Sequence, residues 1–118
     1  MDKALLSRTC AEGGESRNGF RWPLSVGGVA ECPDWDARPR CGNGLHGLLW
    51  GCGDGSLLDS DAPHWLVVEA NANEVVDLDG KVKVPRATVV HVGDRESAIQ
   101  FLVENGCAGK PVVYGTAT

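Results

Sequence analysis

The chain has 118 residues, a mass of 12.5 kDa, 42% hydrophobic residues and 23% charged residues. This length predicts one domain over residues 1–118, and the composition excludes fibrous proteins, disordered proteins and small disulfide scaffolds. Sixteen acidic residues against eleven basic ones give a net charge of −5. No apolar run approaches the ~20 residues of a membrane helix, and the first ten residues do not resemble a secretory signal.

The negative net charge indicates which kinds of partner the chain could bind. Direct nucleic-acid binding needs a basic patch, and no run of Lys or Arg supplies one. An acidic surface suits a partner protein with a basic surface, because complementary charge steers encounter. The alternative is that the negative charge only keeps a small domain soluble.

The first half of the chain predicts loops with few regular elements. Residues 11–63 are rich in Gly, Pro, Asp and Trp, which is typical of turns and connectors. Ala4–Thr9 is a short possible strand, and Asn18–Leu24 and Val26–Val29 are possible extended segments. Leu45–Trp50 fits either helical turns or a buried strand, since period alone does not separate them.

The second half, residues 64–114, has clearer patterns. Asp79-Gly80 is a hairpin signal, and it separates two of the predicted strands. A further strand is expected near the end of the chain. The five predicted strands are Trp65–Ala70, Glu74–Leu78, Lys81–Val84, Thr88–Val92 and Pro111–Tyr114.

One helix is expected at about 94–105. Asp94 can cap its first turn by accepting a hydrogen bond from a backbone N–H. Ala98, Ile99, Leu102 and Val103 make an apolar stripe at helical spacing, and Gly106 stands where a left-handed cap belongs. The fold class is therefore α+β: a mostly antiparallel sheet with this helix packed on it and a loop-rich first half.

The five cysteines predict reduced cytosolic thiols, because an odd count without a secretory signal does not suit a disulfide framework. No C-x2-C pair is present. A zinc site is therefore not expected, and buried, inert thiols are favoured. A ligand or metal site around Cys41, His46 and Cys52 remains an alternative.

His46 lies between glycines, in Gly42-Asn43-Gly44-Leu45-His46-Gly47. This frame lets a ligand approach closely, so His46 is a candidate general base or binding group. The alternative is a histidine that hydrogen-bonds its own turn. The glycine-rich segment at 51–56 lacks the Lys of a phosphate-binding loop and predicts only a turn.

Trp35 is a candidate interface anchor, because it stands between two aspartates in an acidic turn. The alternative is that it packs back onto the domain. The residues predicted to bind a partner are Asp34, Trp35, Asp36, Asp54, Asp59 and Asp61.

The stretch from Cys41 to Gly51 (CGNGLHGLLWG), with GDGSLL at 53–58 and WLVVE at 65–69, resembles a set of small uncharacterised bacterial and phage proteins. The resemblance covers residues 8 to about 103 and implies no particular activity. By size, pI and this phage-like character, the chain is similar in type to anti-CRISPR inhibitors, some of which present an acidic surface to a basic nucleic-acid channel.

A looser similarity is to ADP-ribosyltransferase-like folds, which pair an early Arg with a G-x-H element and a later Glu. On that scheme Arg17 or Arg21, His46 and Glu69 or Glu74 are the corresponding residues, with Arg21, His46 and Glu69 as the catalytic set. The resemblance would imply NAD as cosubstrate. No tyrosine occupies the expected middle position.

The preferred functional hypothesis is a protein-binding inhibitor without an active site or cofactor. It would occupy a basic surface of a host protein, such as a nucleic-acid-handling complex, without binding nucleic acid or a membrane itself. Its expected location is the cytoplasm, that of the host if the protein is phage-encoded. The alternatives are an NAD-using ADP-ribosyltransferase-like enzyme and a cytosolic domain that binds a small ligand or metal.

Overall fold

A computed structural model describes residues 2–16, 20–52, 58, 61–107, 111–112 and 115–116. Over these residues the main elements are nine strands and one α-helix, and a π-type turn follows the helix over Val103–Cys107. Their bounds are β1 Lys3–Cys10, β2 Val29–Glu31, β3 Leu45–Leu49, β4 His64–Asn71, β5 Val76–Asp77, β6 Val82–Val84, β7 Arg86–Gly93, α1 Arg95–Leu102, β8 Pro111–Val112 and β9 Gly115–Thr116.

Seven strands form one antiparallel sheet in the order β2-β7-β4-β1-β3-β6-β5. β1 and β4 pair along their whole length, from Lys3↔Asn71 to Cys10↔His64. The register between β4 and β7 shifts between Val67 and Val68, which is a β-bulge. The predicted α+β class, with a mostly antiparallel sheet and one helix, is confirmed.

Both faces of the central strands β1 and β4 are covered, which explains the unbroken apolar run in β4. One face packs Leu6, Leu66 and Val68 against Trp22 from the loop-rich half. The other packs Leu5, Trp65 and Val67 against the helix. Consecutive β4 residues are therefore buried, whereas a sheet with one solvated face shows alternation.

The helix begins as the sequence predicts. The Asp94 side chain accepts a hydrogen bond from the Ser97 backbone, and the Ser97 hydroxyl accepts one from the Asp94 N–H, which is a capping box. Regular α-helix ends at Leu102, before the expected end at about residue 105. The π-type turn continues from there, and Gly106 has a positive φ of 126° within it.

The hairpin between β5 and β6 is also confirmed. Asp79 and Gly80 have φ values of 62° and 100°, as a type I′ turn requires, and the Leu78 N–H donates to the Lys81 carbonyl at 2.9 Å. β5 is shorter than predicted, because a 3-10 turn capped by the Asn71 side chain occupies Ala72–Glu74. In the part of the chain that the structure describes, no helix is both long and apolar enough to cross a membrane.

Candidate functional site

A cavity of about 730 Å³ opens at one end of the sheet, where β1 and β3 separate. The pairing of β1 with β3 stops at Ser7↔Leu48, whereas β1 stays paired with β4 as far as Cys10↔His64. The end of β1, the start of β3 and the segment around Trp22 therefore enclose a space of a size that suits a small molecule. Its polar and aromatic lining includes Arg8, Cys10, Trp22, Cys41, His46 and Lys81.

Arg8 is held rigidly in this cavity. Its Nη1 donates to the His46 carbonyl at 2.8 Å and its Nη2 to the Thr9 carbonyl at 3.3 Å. The guanidinium carbon lies 4.5 Å from the centroid of the Trp22 ring, within cation–π distance. The residue as a whole is partly exposed, yet its Nε is buried and has no hydrogen-bond partner among the described residues.

Trp22 forms the floor under Arg8 and is only 2% exposed. The Trp22 backbone N–H donates to the Gly14 carbonyl at 2.8 Å, which ties the Trp22 segment to the turn after β1. Phe20 meets the Trp22 ring edge-on, with the ring centroids 5.8 Å apart. The loop-rich half thus supplies an ordered aromatic wall to the cavity.

His46 lines the cavity as a neutral imidazole. Its Nε2 accepts a hydrogen bond from the Gly42 N–H at 3.2 Å, which is the contact of a histidine bonded to its own glycine-rich turn. Burial, followed by the charges of Lys81, Arg8 and Lys83, lowers the pKa of His46 to about 4. Burial and, after it, the nearby cations therefore keep the ring uncharged at neutral pH.

The thiols near the cavity differ in exposure. Cys10 is buried, and burial raises the pKa of its thiol although Arg8 acts in the opposite direction. Cys41 is exposed, and the Lys81 ammonium donates to its sulfur at 3.1 Å. Cys52 is partly buried. Cys41, His46 and Cys52 do not form a metal cluster within the described part of the chain.

The structure does not bring Arg21, His46 and Glu69 together. Only His46 lines the cavity. Arg21 is exposed, and Glu69 forms an ion pair with Lys3 at 2.8 Å. Glu69 lies instead on a separate shallow depression along β4.

The predicted acidic surface is partly neutralised. Asp36 pairs with Arg38, whose hydrogen bonds hold the pKa of Asp36 well below its usual range. Asp34 accepts hydrogen bonds from Asn43 and Cys32. Asp61 is exposed. Asp54 and Asp59 lie outside the described residues.

Trp35 is half-buried, with the Lys83 ammonium 5.5 Å from its ring centroid. Lys83 is itself buried in β6 and donates to the Gly42 carbonyl at 3.1 Å. Trp35 therefore covers a cation of its own domain. Its role as an interface anchor stays a prediction.

The contact between Arg8 and Trp22 was not predicted from the sequence. The strand period does place Arg8 on the same face as Ala4, Leu6 and Cys10, and these three residues are buried. A charged residue in line with core positions indicates a buried cation that needs a partner. The identity of that partner, Trp22, depends on a loop that periodicity does not place.

The low pKa of His46 predicts a pH dependence of stability. The unfolded chain binds a proton at His46 as pH falls below about 6.5, the ordinary pKa, while the folded protein binds it only near pH 4. Stability is therefore highest above pH 6.5 and falls between pH 6.5 and 4. Each pKa unit is worth about 1.4 kcal/mol. Because solvent reaches part of the ring and screens it, we expect a loss of about 1–2 kcal/mol.

Urea unfolding of the wild type and His46→Gln at a series of pH values measures this effect. The two proteins share every other titrating group, so the difference between them isolates His46. A difference that stays constant between pH 6.5 and 4 would contradict the assignment of a neutral, cation-surrounded ring.

Comparisons with known proteins give bacterial ice nucleation proteins as relatives. Ice nucleation protein InaU of Pantoea ananas is 42% identical over 107 residues, which are 88% of this chain and 10% of that protein. An ice nucleation protein of Pseudomonas syringae is 45% identical over 105 residues, 86% of this chain and 9% of that protein. One of Xanthomonas campestris pv. translucens is 39% identical over 108 residues, 89% of this chain and 7% of that protein. No family model and no solved structure matches the chain.

These relatives correct several predictions made from the sequence. The resemblance to phage-type proteins and anti-CRISPR inhibitors is wrong, and so is the looser similarity to ADP-ribosyltransferases. The predicted function as an acidic inhibitor is therefore wrong, and neither of the two alternative functions is supported. The same relatives overturn three further predictions: the host partner with a basic surface, the absence of membrane contact and the cytoplasmic location are wrong too.

The physical reason for the error is that net charge and size are shared by unrelated small domains, so they do not identify a family. The chain spans about a tenth of the length of the ice nucleation proteins it matches. Along nearly nine-tenths of its own length, this chain is similar to one segment of bacterial ice nucleation proteins.

Proposed function

We propose that this chain acts in bacterial ice nucleation as a folded accessory domain, whose own surface does not template ice. The observation that carries the proposal is the alignment itself. Identities of 42–45% extend over 86–88% of the chain, yet the matched segment makes up only 9–10% of each relative. A match that covers most of this folded chain and so small a part of the relatives is typical of a module.

The fold supports an accessory role over direct ice templating. A surface that orders water into a crystal has to offer a flat, regular array of exposed groups. Here the central strands β1 and β4 are buried under the helix on one face and against Trp22 on the other. The regular rows of side chains on these two strands are therefore turned into the core.

A segment exchange tests this function. The matched segment of the Pseudomonas syringae relative is deleted, or replaced by residues 1–118 of this chain, and droplet freezing is recorded for cells that express each protein. We expect the deletion to lower the freezing temperature relative to the parent and the exchange to restore it. The isolated chain should freeze no warmer than buffer.

Two controls make the result decisive. The exchange carrying Trp22→Ala removes the largest aromatic of one core and should fail to restore freezing, while Arg86→Gln, at an exposed site, should restore it. If the isolated chain raises the freezing temperature by itself, the accessory role is wrong. If cells that express the deletion freeze at the same temperature as cells that express the parent, the proposed role in nucleation is wrong.

A further inference from the structure

The cavity beside β1 concentrates positive charge in an otherwise acidic protein. Arg8 and Lys81 line it, and Lys83 acts electrostatically on the His46 ring in its wall. Among the described lining residues the only carboxylate is that of Glu15, which is exposed. The net charge of the chain is nevertheless −5. This local excess of cations therefore runs against the overall charge.

Among the described residues, no carboxylate forms an ion pair with the Arg8 guanidinium. Two of its N–H groups donate to neutral backbone carbonyls. The Cys10 thiol lies beside it, but burial raises the pKa of that thiol, so it is not an anion at neutral pH. A largely buried cation whose described hydrogen-bond partners are neutral is costly to the fold. An anion bound in the cavity beside the guanidinium offsets that cost.

We propose that this cavity binds an oxyanion, a carboxylate or phosphate group, which pairs with the Arg8 guanidinium and takes further charge compensation from Lys81. This site is separate from the part in ice nucleation argued above. It rests on Arg8 and does not depend on the cysteines.

The geometry is prepared for such a ligand. Arginine has five N–H donors. One N–H of Nη1 and one of Nη2 donate to backbone carbonyls, and these bonds hold the guanidinium plane in place together with the Trp22 ring. A fixed guanidinium pairs with carboxylate or phosphate oxygens at a low entropic cost. The cavity of about 730 Å³ exceeds a bare anion, and Phe20 and Trp22 add an apolar wall. An anion with an organic body therefore fits best.

NMR titration of the wild type in low-salt buffer tests the proposal with three probes: inorganic phosphate, benzoate and the uncharged analogue benzamide. We expect the Trp22 indole and His46 ring signals to shift on adding either anion, and little change with benzamide. Saturating phosphate should also raise the pKa of His46 from about 4, because a bound anion offsets the surrounding cations. Tighter binding of benzoate than of phosphate would show that the apolar wall takes part.

Variants locate the site. Arg8→Gln should weaken binding at least about tenfold, since it removes a charge-assisted hydrogen bond. Lys81→Gln should weaken it by about two- to fivefold, as expected for a screened charge. Arg86→Gln makes the same charge change as Arg8→Gln at a residue 65% exposed outside the cavity, and should bind as the wild type does.

The proposal can be tested even if Arg8→Gln does not fold. In that case the anion affinity of Lys81→Gln is compared with that of Arg86→Gln. Binding of neither anion would overturn it, as would equal binding of benzamide. Equal affinities of Lys81→Gln and Arg86→Gln would place any bound anion elsewhere and overturn it as well.

Discussion

Replacing Trp22 with Ala is expected to lower the free energy of unfolding by about 3–5 kcal/mol, the usual cost of truncating a large buried aromatic. Trp22 is 2% exposed and packs in the core on one sheet face. It also stacks on Arg8, so its loss leaves a buried cation without its ring partner. Since small domains are stable by about 5–15 kcal/mol, this one change removes a large share of the total.

Trp35→Ala is the matched control. This ring is half-buried and covers the Lys83 ammonium, so we expect a loss of about 1–2 kcal/mol from reduced apolar burial. Urea unfolding followed by circular dichroism gives both values. Equal losses at the two tryptophans would mean that the Trp22 segment is not part of the core.

The second large effect is expected at Gly14. A Cβ built there would lie 2.4 Å from the Trp22 carbonyl oxygen, and the residue has a φ of +89°. The obstructing atom belongs to the backbone, so relief requires the turn to move and the bond from the Trp22 N–H to Gly14 to loosen. We expect Gly14→Ala to lose about 3 kcal/mol or more, the sum of left-handed strain and overpacking.

Gly27→Ala separates these two causes. Gly27 has a φ of +93°, close to that of Gly14, but nothing lies within 4 Å of its built Cβ. Only the backbone strain remains there, about 1–2 kcal/mol. Thermal unfolding of both variants measures the difference. If Gly27→Ala destabilised the protein as much as Gly14→Ala, the close approach of the Trp22 segment would not explain the loss at Gly14.

The second half of the fold was predictable because its signals are local. The Asp79-Gly80 turn fixes a hairpin by its own dihedral preferences, and Asp94 caps the helix within four residues. The apolar run in β4 indicated a strand, and the ambiguous run at Leu45–Trp50 proved to be β3. The covering of both sheet faces was not predictable, because it depends on where the first half packs.

The cavity was only partly predictable. The glycines around His46 indicated an unusual turn, and the histidine does bond to it. The proximity of Arg8, Trp22 and Lys81 arises from residues up to about 70 positions apart that meet where β1 and β3 separate. Single-sequence patterns do not encode such long-range contacts. The functional hypothesis failed for a related reason, because surface charge describes how a protein behaves in solution and does not identify its family.

The borders of the sheet are short: β2 has three residues at one side and β5 has two at the other. A strand joins a foreign sheet through a row of unpaired backbone groups, and so few residues offer little for such a row. A second copy of this domain would therefore gain few main-chain hydrogen bonds by pairing through β2 or β5.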